Sequence, residues 1–317
     1  MRRRQPERAD ALPTRSFGAN KLSPPGPSLP QSTNFVKLLA GRASSSRPSS
    51  TTRSAPASPK RRASGPSTCP GNVTSAARIG RPDLGLLTLT EMAQHARGIA
   101  SAVDLPVLAD ADTGYGDAAM VARTVAEFEA AGVAGIHLED QALPKRCGAM
   151  PGVRLAPLDE ALERVRAALG ARSNPEFVIV ARTDALVTDD YPEALRRAQA
   201  FAEAGADLVF VEDPRSAEDV ERLPRDLDGI PLMIDVFETW PWTQRPVQEL
   251  EQLGYKLAIY CLSATLAYAY AAREVFRTLR EAGQTRACEP RMLTRQEYEA
   301  VLGLDLAEQP AESPLPA

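Results

Sequence analysis

From Asp83 onward, short apolar runs that end in polar residues alternate with amphipathic stretches. The pattern predicts a strand over Leu105–Asp110, a helix over Val121–Ala131 closed by Gly132, and a strand over Gly135–Glu139. It continues with a helix over Leu158–Leu169, a strand over Phe177–Ala181, a helix over Pro192–Ala204 ended by Gly205, and a strand over Asp207–Val211. Strands over Pro231–Val236 and Lys256–Tyr260 flank a helix over Val247–Leu253, a long helix covers Ala264–Ala282, and a short one covers Glu297–Gly303. Strands that are apolar almost throughout and alternate with helices imply a parallel sheet covered on both faces. Polar residues gather at the C-terminal ends of the strands, where a (β/α)8 barrel carries its active site. A doubly wound open sheet is the competing architecture, but no GxGxxG follows a first strand.

Ahead of this region the pattern fails. No Asp or Glu occurs from Ala11 to Pro82, and Ser, Pro and Arg dominate with neither helical nor strand periodicity. Residues 1–72 are expected to be disordered, 73–305 to form the barrel domain, and 306–317 to fray. An Arg- and Ser-rich, acid-poor leader is also what an organelle transit peptide looks like. A third reading is a stretch translated out of frame, because Phe35–Ala40 has the look of an opening helix and the pattern resumes only near Val73.

Charge sharpens the division. Residues 1–70 hold thirteen Lys or Arg and two acids, leaving 24 Lys or Arg against 39 acids in the rest of a chain of net charge −4. An acidic body offers no footprint for a phosphate backbone, which excludes nucleic acid as a partner. No apolar run approaches the length of a membrane helix, and Cys69, Cys147, Cys261 and Cys288 form no CxxC pair, so a soluble protein of the reducing cytoplasm is expected.

Candidate chemistry lies at the strand ends. Asp110 and Asp112 close one strand and Glu139 and Asp140 the next, bringing hard oxygen donors of the kind Mg²⁺ prefers to one rim. Any one of these acids could instead simply cap the following helix. Gly114-Tyr115-Gly116 supplies a pliable turn beside them. Cys147 stands beside Lys145 and Arg146 in a polar, Gly-containing loop, a setting expected to lower its thiol pKa. His137, between apolar Ile136 and Leu138, reads as a packed or surface imidazole, and Cys261 as core.

Four ordered motifs, Leu105 to Gly116, Glu139-Asp140-Gln141, Pro144 to Gly148 and Ala181 to Ala185, resemble successive strand ends of the isocitrate lyase and phosphoenolpyruvate mutase superfamily. The Lys-Arg-Cys-Gly loop is most similar to the methylisocitrate lyase and dimethylmalate lyase branch. The resemblance implies a TIM-type barrel and a metal site of Asp83, Asp110, Asp112 and Glu139 holding Mg²⁺, with Mn²⁺ as a substitute. It also implies that Arg182 pairs with a substrate carboxylate, Glu212 steadies Arg182 or a metal-bound water, Gly148 and Asp235 contact substrate, and Cys147 donates a proton to the departing carbanion. The implied reaction is retro-aldol cleavage of a small 2-hydroxy or 2-oxo diacid through a metal-stabilised enolate. Oxaloacetate decarboxylation, phosphonomutase chemistry and an inactive relative are the alternatives. A homodimer or homotetramer is implied as well.

Four departures qualify the resemblance. Ala149 stands where a His usually follows Cys-Gly, Leu266 where tricarboxylate-cleaving relatives carry Arg, and Asp235 where Asn is usual, in a segment that also holds Glu238. The front of the chain lacks a recognisable first strand and Ser-Gly loop, so the barrel is expected to be incomplete by two N-terminal strands.

Overall fold

A computed structural model describes residues 67–302. Seven strands, β1 (Ser67–Cys69), β2 (Val107–Asp110), β3 (Gly135–Glu139), β4 (Val178–Thr183), β5 (Leu208–Val211), β6 (Leu232–Asp235) and β7 (Tyr255–Ile259), form one sheet. Each pairs in parallel with the next, in chain order. A doubly wound sheet would reverse its order at a switch point; this one runs in a single direction, as a barrel wall does. The fold is a curled α/β half-barrel of TIM type, and among the described residues β1 and β7 each have one neighbour.

Alternation along the strands sorts side chains between two environments. Leu108, Val178, Val180, Leu208, Phe210, Met233, Leu257 and Ile259 form the cluster inside the curl. Ala109, Ile136, Leu138, Ile179, Ala181, Val209 and Ile234 face outward and pack under the helices. Helix ends follow local chemistry: Thr88 and Glu91 make a reciprocal capping box at the start of Leu89–Ala102, and Asp117 caps Ala118–Ala131, which Gly132 closes in the left-handed conformation.

The structure corrects the front of the chain. The strand Ser67–Cys69 and the helix Gly71–Ile79 begin ahead of the expected order boundary at Val73. They supply one of the two N-terminal strand units expected to be missing, so among the described residues the sheet has seven strands where six are expected. The unit was hard to read because its strand is three polar or small residues long; its burial comes from pairing with β2 and packing Cys69 under Leu89–Ala102. Helices Leu89–Ala102 and Ala217–Asp226 also lacked a sequence assignment. The expectations for residues 1–66, Phe35–Ala40 included, and for the tail at 306–317 concern residues outside the described range.

Candidate active site

Inward parity carries each strand's last residues into the mouth of the curl. In β4 the series Val178, Val180 continues to Arg182, and in β5 Leu208, Phe210 continues to Glu212. The same parity brings Asp110, His137, Glu139, Asp235 and Cys261 to a common cleft with Pro70, Gly71, Asn72, Asp83 and Cys147.

The acids are held by backbone donors and one ammonium. Asp110 accepts from the Gly71 N–H at 3.0 Å and from the Asp112 N–H at 2.9 Å. A Cβ on Gly71 would stand 2.6 Å from Asp110 Oδ2, so this approach requires glycine. Lys145 Nζ, 3% exposed, lies 2.8 Å from Asp83 Oδ1 and 2.6 Å from Asp112 Oδ1. Burial alone would raise the Asp110 carboxyl, yet it is held down at about 2, with His137, Lys145, Arg182 and the Asp112 N–H favouring its anion. His137 lies 3.6 Å away through Nδ1, and burial pushes its own pKa below the ordinary value. The lowering at neutral pH therefore rests on the two permanent cations and the backbone donors. Desolvation outweighs the neighbouring cations at Asp112, lifted to about 6, and at Glu139, raised well above the carboxylate range.

Arg182 is braced on several sides. Its Nε donates to Asp184 Oδ1 at 3.0 Å, its Nη2 lies 3.3 Å from Glu212 Oε1, and its guanidinium sits 5.3 Å from the Phe210 ring centroid. Asp184 is fixed by Gln141 Nε2 at 2.6 Å, and Asp140 accepts from Thr183, the Asp184 N–H and Arg197. Gly148 lies directly over this pair: a Cβ there would meet Arg182 Nη2, Glu212 Cγ and Glu212 Oε1, each at 2.7 Å. The Lys-Arg-Cys-Gly loop thus closes onto the arginine by contact with its backbone.

Cys147 is partly buried, with Asn72 Nδ2 3.7 Å from its sulfur and its own N–H donating to the Asp83 carbonyl at 3.1 Å. Its thiol pKa is raised by burial, contrary to the lowering expected from the flanking cations. The reason is direction. Lys145 turns to Asp83 and Asp112, and Arg146 turns outward to the Pro151 carbonyl. Cys261 follows β7 and packs against the inner core cluster as expected, and it also lines the cleft. His137 is the packed imidazole expected, but it packs in the cleft wall beside Asp110.

All the anticipated site residues converge except that Asp112 turns to the far side of Lys145, where Gly85, Leu87, Thr113, Tyr115 and Leu143 line a second hollow. Ala149 lines the main cleft, Glu238 pairs with Ser263, and Leu266 is half exposed on the long helix Ser263–Ala282. The sequence marks no site role for Asn72 or Phe210, takes His137 as packing, and takes Lys145 only as a cation beside the thiol. Strand parity identifies His137 and Phe210, since each sits two residues before an acid at a strand end.

The donor set suits a divalent cation. Asp83, Asp110, Asp112, Glu139, Asp184, Glu212 and Asp235 are all buried, and their buried cationic partners are Lys145 and Arg182. Glu139 Oε1 and Glu212 Oε2 are buried without a hydrogen-bond partner. Such an excess of negative charge in low dielectric calls for a further cation or for protons. Among the described residues no three Asp, Glu, His or Cys side chains are arranged to hold a metal ion between them as the structure stands.

Comparison with known proteins bears on this geometry. The model of the family described as phosphoenolpyruvate phosphomutase matches residues 68–280. A 2,3-dimethylmalate lyase of Eubacterium barkeri is 41% identical over 233 residues, covering 73% of this chain and 80% of that protein. A 2-methylisocitrate lyase of Vibrio cholerae is 40% identical, covering 71% and 75%. Among solved structures, a 2,3-dimethylmalate lyase superposes with a TM-score of 0.74 at 29% identity, covering 87% of this chain and 93% of that one. A phosphonopyruvate hydrolase complexed with oxalate and Mg²⁺ superposes with a TM-score of 0.65 at 28% identity, covering 74% and 82%.

Proposed function

Since the chain belongs to the phosphoenolpyruvate phosphomutase family, we propose that it is a Mg²⁺-dependent carbon–carbon lyase that cleaves a small 2-hydroxy or 2-oxo diacid. The observation that carries this reading is one cleft holding a carboxylate set, a braced arginine and a buried thiol. Asp83, Asp110, Asp112 and Glu139 are the residues that would hold the ion, in part through water. When bound, the ion supplies Lewis acidity toward the carboxylate and C2 oxygen of the substrate.

The chain's own residues do the rest. Arg182, its fork set by Asp184 and Glu212, pairs with a substrate carboxylate and fixes which bond faces the thiol. In a 2-hydroxy diacid a carboxylate of the cleft takes the C2 hydroxyl proton as the C2–C3 bond breaks, and C2 leaves as the carbonyl of one product. The departing carbanion takes the proton of the Cys147 thiol, and the thiolate regains a proton from that carboxyl by way of solvent. A thiol kept neutral by burial arrives at that moment still carrying its proton, which a low-pKa thiol would have lost. Gly148 lets the loop press onto Arg182 and Glu212 and exclude water. Oxaloacetate decarboxylation or phosphonate chemistry could use the same carboxylates, but neither gives the thiol a task.

Two further parts of the reading concern context. The 20-residue helix Ser263–Ala282 has no buried residue, with Tyr268 75% and Phe276 69% exposed. Such a face supports assembly with further copies of this chain as a homodimer or homotetramer. Among the described residues no helix is long and apolar enough to cross a membrane, and the four cysteines are free, in keeping with a cytoplasmic setting.

The test is release of glyoxylate or pyruvate from a panel of 2-hydroxy and 2-oxo diacids, with and without Mg²⁺. Cleavage should require the ion, and Cys147→Ala should abolish it while ion binding, read by calorimetry, is unchanged. Metal-independent turnover, or full turnover by the alanine variant, overturns the assignment.

A further inference from the structure

Asp235 closes β6 on the inward face, opposite the carboxylate set, and is 8% exposed. One of its oxygens, Oδ1, is buried at the cleft without a hydrogen-bond partner. Cys261, through its thiol and backbone N–H, favours the Asp235 anion. Around it the cleft wall is apolar, built by Phe210, Phe237, Ile259 and Leu262.

Cations are scarce at this end. Arg182 is the one permanent cation among the described residues lining the cleft, and it already faces Asp184, Glu212 and Glu139. His137 faces Asp110, with Nδ1 3.6 Å from Oδ1. The charged groups facing Asp235 besides Arg182 are acids, Glu212 and Glu238. A third carboxylate on a substrate would therefore enter an apolar wall beside a buried anion with no cation left to pair with it, at a cost of several kcal/mol.

We infer that Asp235 is a specificity-determining residue whose free carboxylate oxygen accepts a hydrogen bond from a neutral donor, such as a hydroxyl, on the C3 substituent of a dicarboxylate, and that it rejects a carboxylate at that place. Burial lifts the Asp235 carboxyl to about 6, so at pH 7.5 it is ionised and acts as an acceptor. An unpaired buried acceptor is what makes such selection steep, because a substrate that lacks the donor leaves it unsatisfied. This inference rests on the reading of the cleft as a lyase site.

Three malates that differ only at C3, carrying hydroxymethyl, ethyl or carboxymethyl, test it with Mg²⁺ present. For the native protein, kcat/KM for the hydroxymethyl compound should exceed that for the ethyl compound by about tenfold and that for the carboxymethyl compound by about a hundredfold. Asp235→Asn, of the same shape, should raise use of the carboxymethyl compound by about tenfold or more relative to the ethyl compound. Equal use of all three by the native protein, or a uniform change in the variant, overturns the inference. Binding of the same compounds by titration calorimetry separates it from the lyase reading. Binding in the expected order without cleavage refutes the lyase reading and supports the role of Asp235; equal binding refutes that role, and binding of none refutes both.

Discussion

Replacing Lys145 by Met keeps the length and unbranched shape of the side chain while deleting the ammonium that balances two buried carboxylates. Nζ lies 2.6 Å from Asp112 Oδ1 and 2.8 Å from Asp83 Oδ1, with the lysine side chain 2% exposed. At an effective dielectric of about 20, each pair attracts by about 6 kcal/mol before desolvation. Removing one partner of a buried pair costs about 3–5 kcal/mol, because the charge left behind has no compensation. Lys145→Met should lose that much stability in metal-free buffer at pH 7.5, read by urea unfolding. The loss should depend on pH. Asp112 has a folded pKa raised to about 6 by burial, so stability tied to its protonated form is complete below its unfolded value and lost as pH rises through about 6. The variant, lacking the ammonium that opposes this rise, should protonate Asp112 at a higher pH still and so recover toward native stability as pH falls from about 7.5 toward about 6. It should also gain more stability from added Mg²⁺ than the native protein does, since Asp83 and Asp112 become free to meet the ion. A metal-free variant within about 1 kcal/mol of native stability at pH 7.5 would refute the claim that this ammonium neutralises the site.

Gly148→Ala forces a Cβ to within 2.7 Å of both Arg182 Nη2 and Glu212 Oε1, so the loop or the arginine must yield. A displaced arginine should lower kcat/KM by about a hundredfold at a stability cost of about 1–3 kcal/mol; kinetics within tenfold of native on the same diacid would show that the close approach is dispensable. Tyr268→Asp combined with Phe276→Asp places charge on the exposed face of Ser263–Ala282. Light scattering should show an oligomer for the native chain and a smaller species for the double variant, and a native monomer would sink the proposal of self-assembly.

Periodicity exposed the elements whose burial is regular. Gly135–Glu139 and Val247–Leu253 have the bounds expected of them, the first because its buried run ends in an acid and the second because Pro246 and Gly254 bracket it. Leu89–Ala102 escaped assignment although Thr88 and Glu91 stand at capping-box spacing ahead of it, a local signal that deserved more weight than the mixed composition after it. Ser67–Cys69 had no such signal, since its side chains carry little strand preference and it is held by β2 and by packing.

The site shows a sharper division between what a sequence encodes along a strand and what it encodes in a loop. On a strand, side chains alternate, so one inward residue fixes the rest: Val178 and Val180 inside the curl place Arg182 at its mouth, and Leu208 and Phe210 do the same for Glu212. The acids Asp110 and Glu139 were therefore legible at their strand ends, whereas Arg182 and Glu212, one residue past the expected ends of their strands, were marked only by the family resemblance. In the Lys145-Arg146-Cys147-Gly148 loop no such period exists, and adjacency misled. Three neighbours point three ways, Lys145 to the buried acids, Arg146 to the Pro151 carbonyl and Cys147 toward Asn72. Reading the cations as a field acting on the thiol gave the wrong sign for its pKa, because the nearest compensating anions claimed the lysine first. That partition suits the proposed chemistry better than the expected one: the ammonium is spent on the acids, and the thiol is left in a desolvated pocket where it keeps the proton that the carbanion must receive.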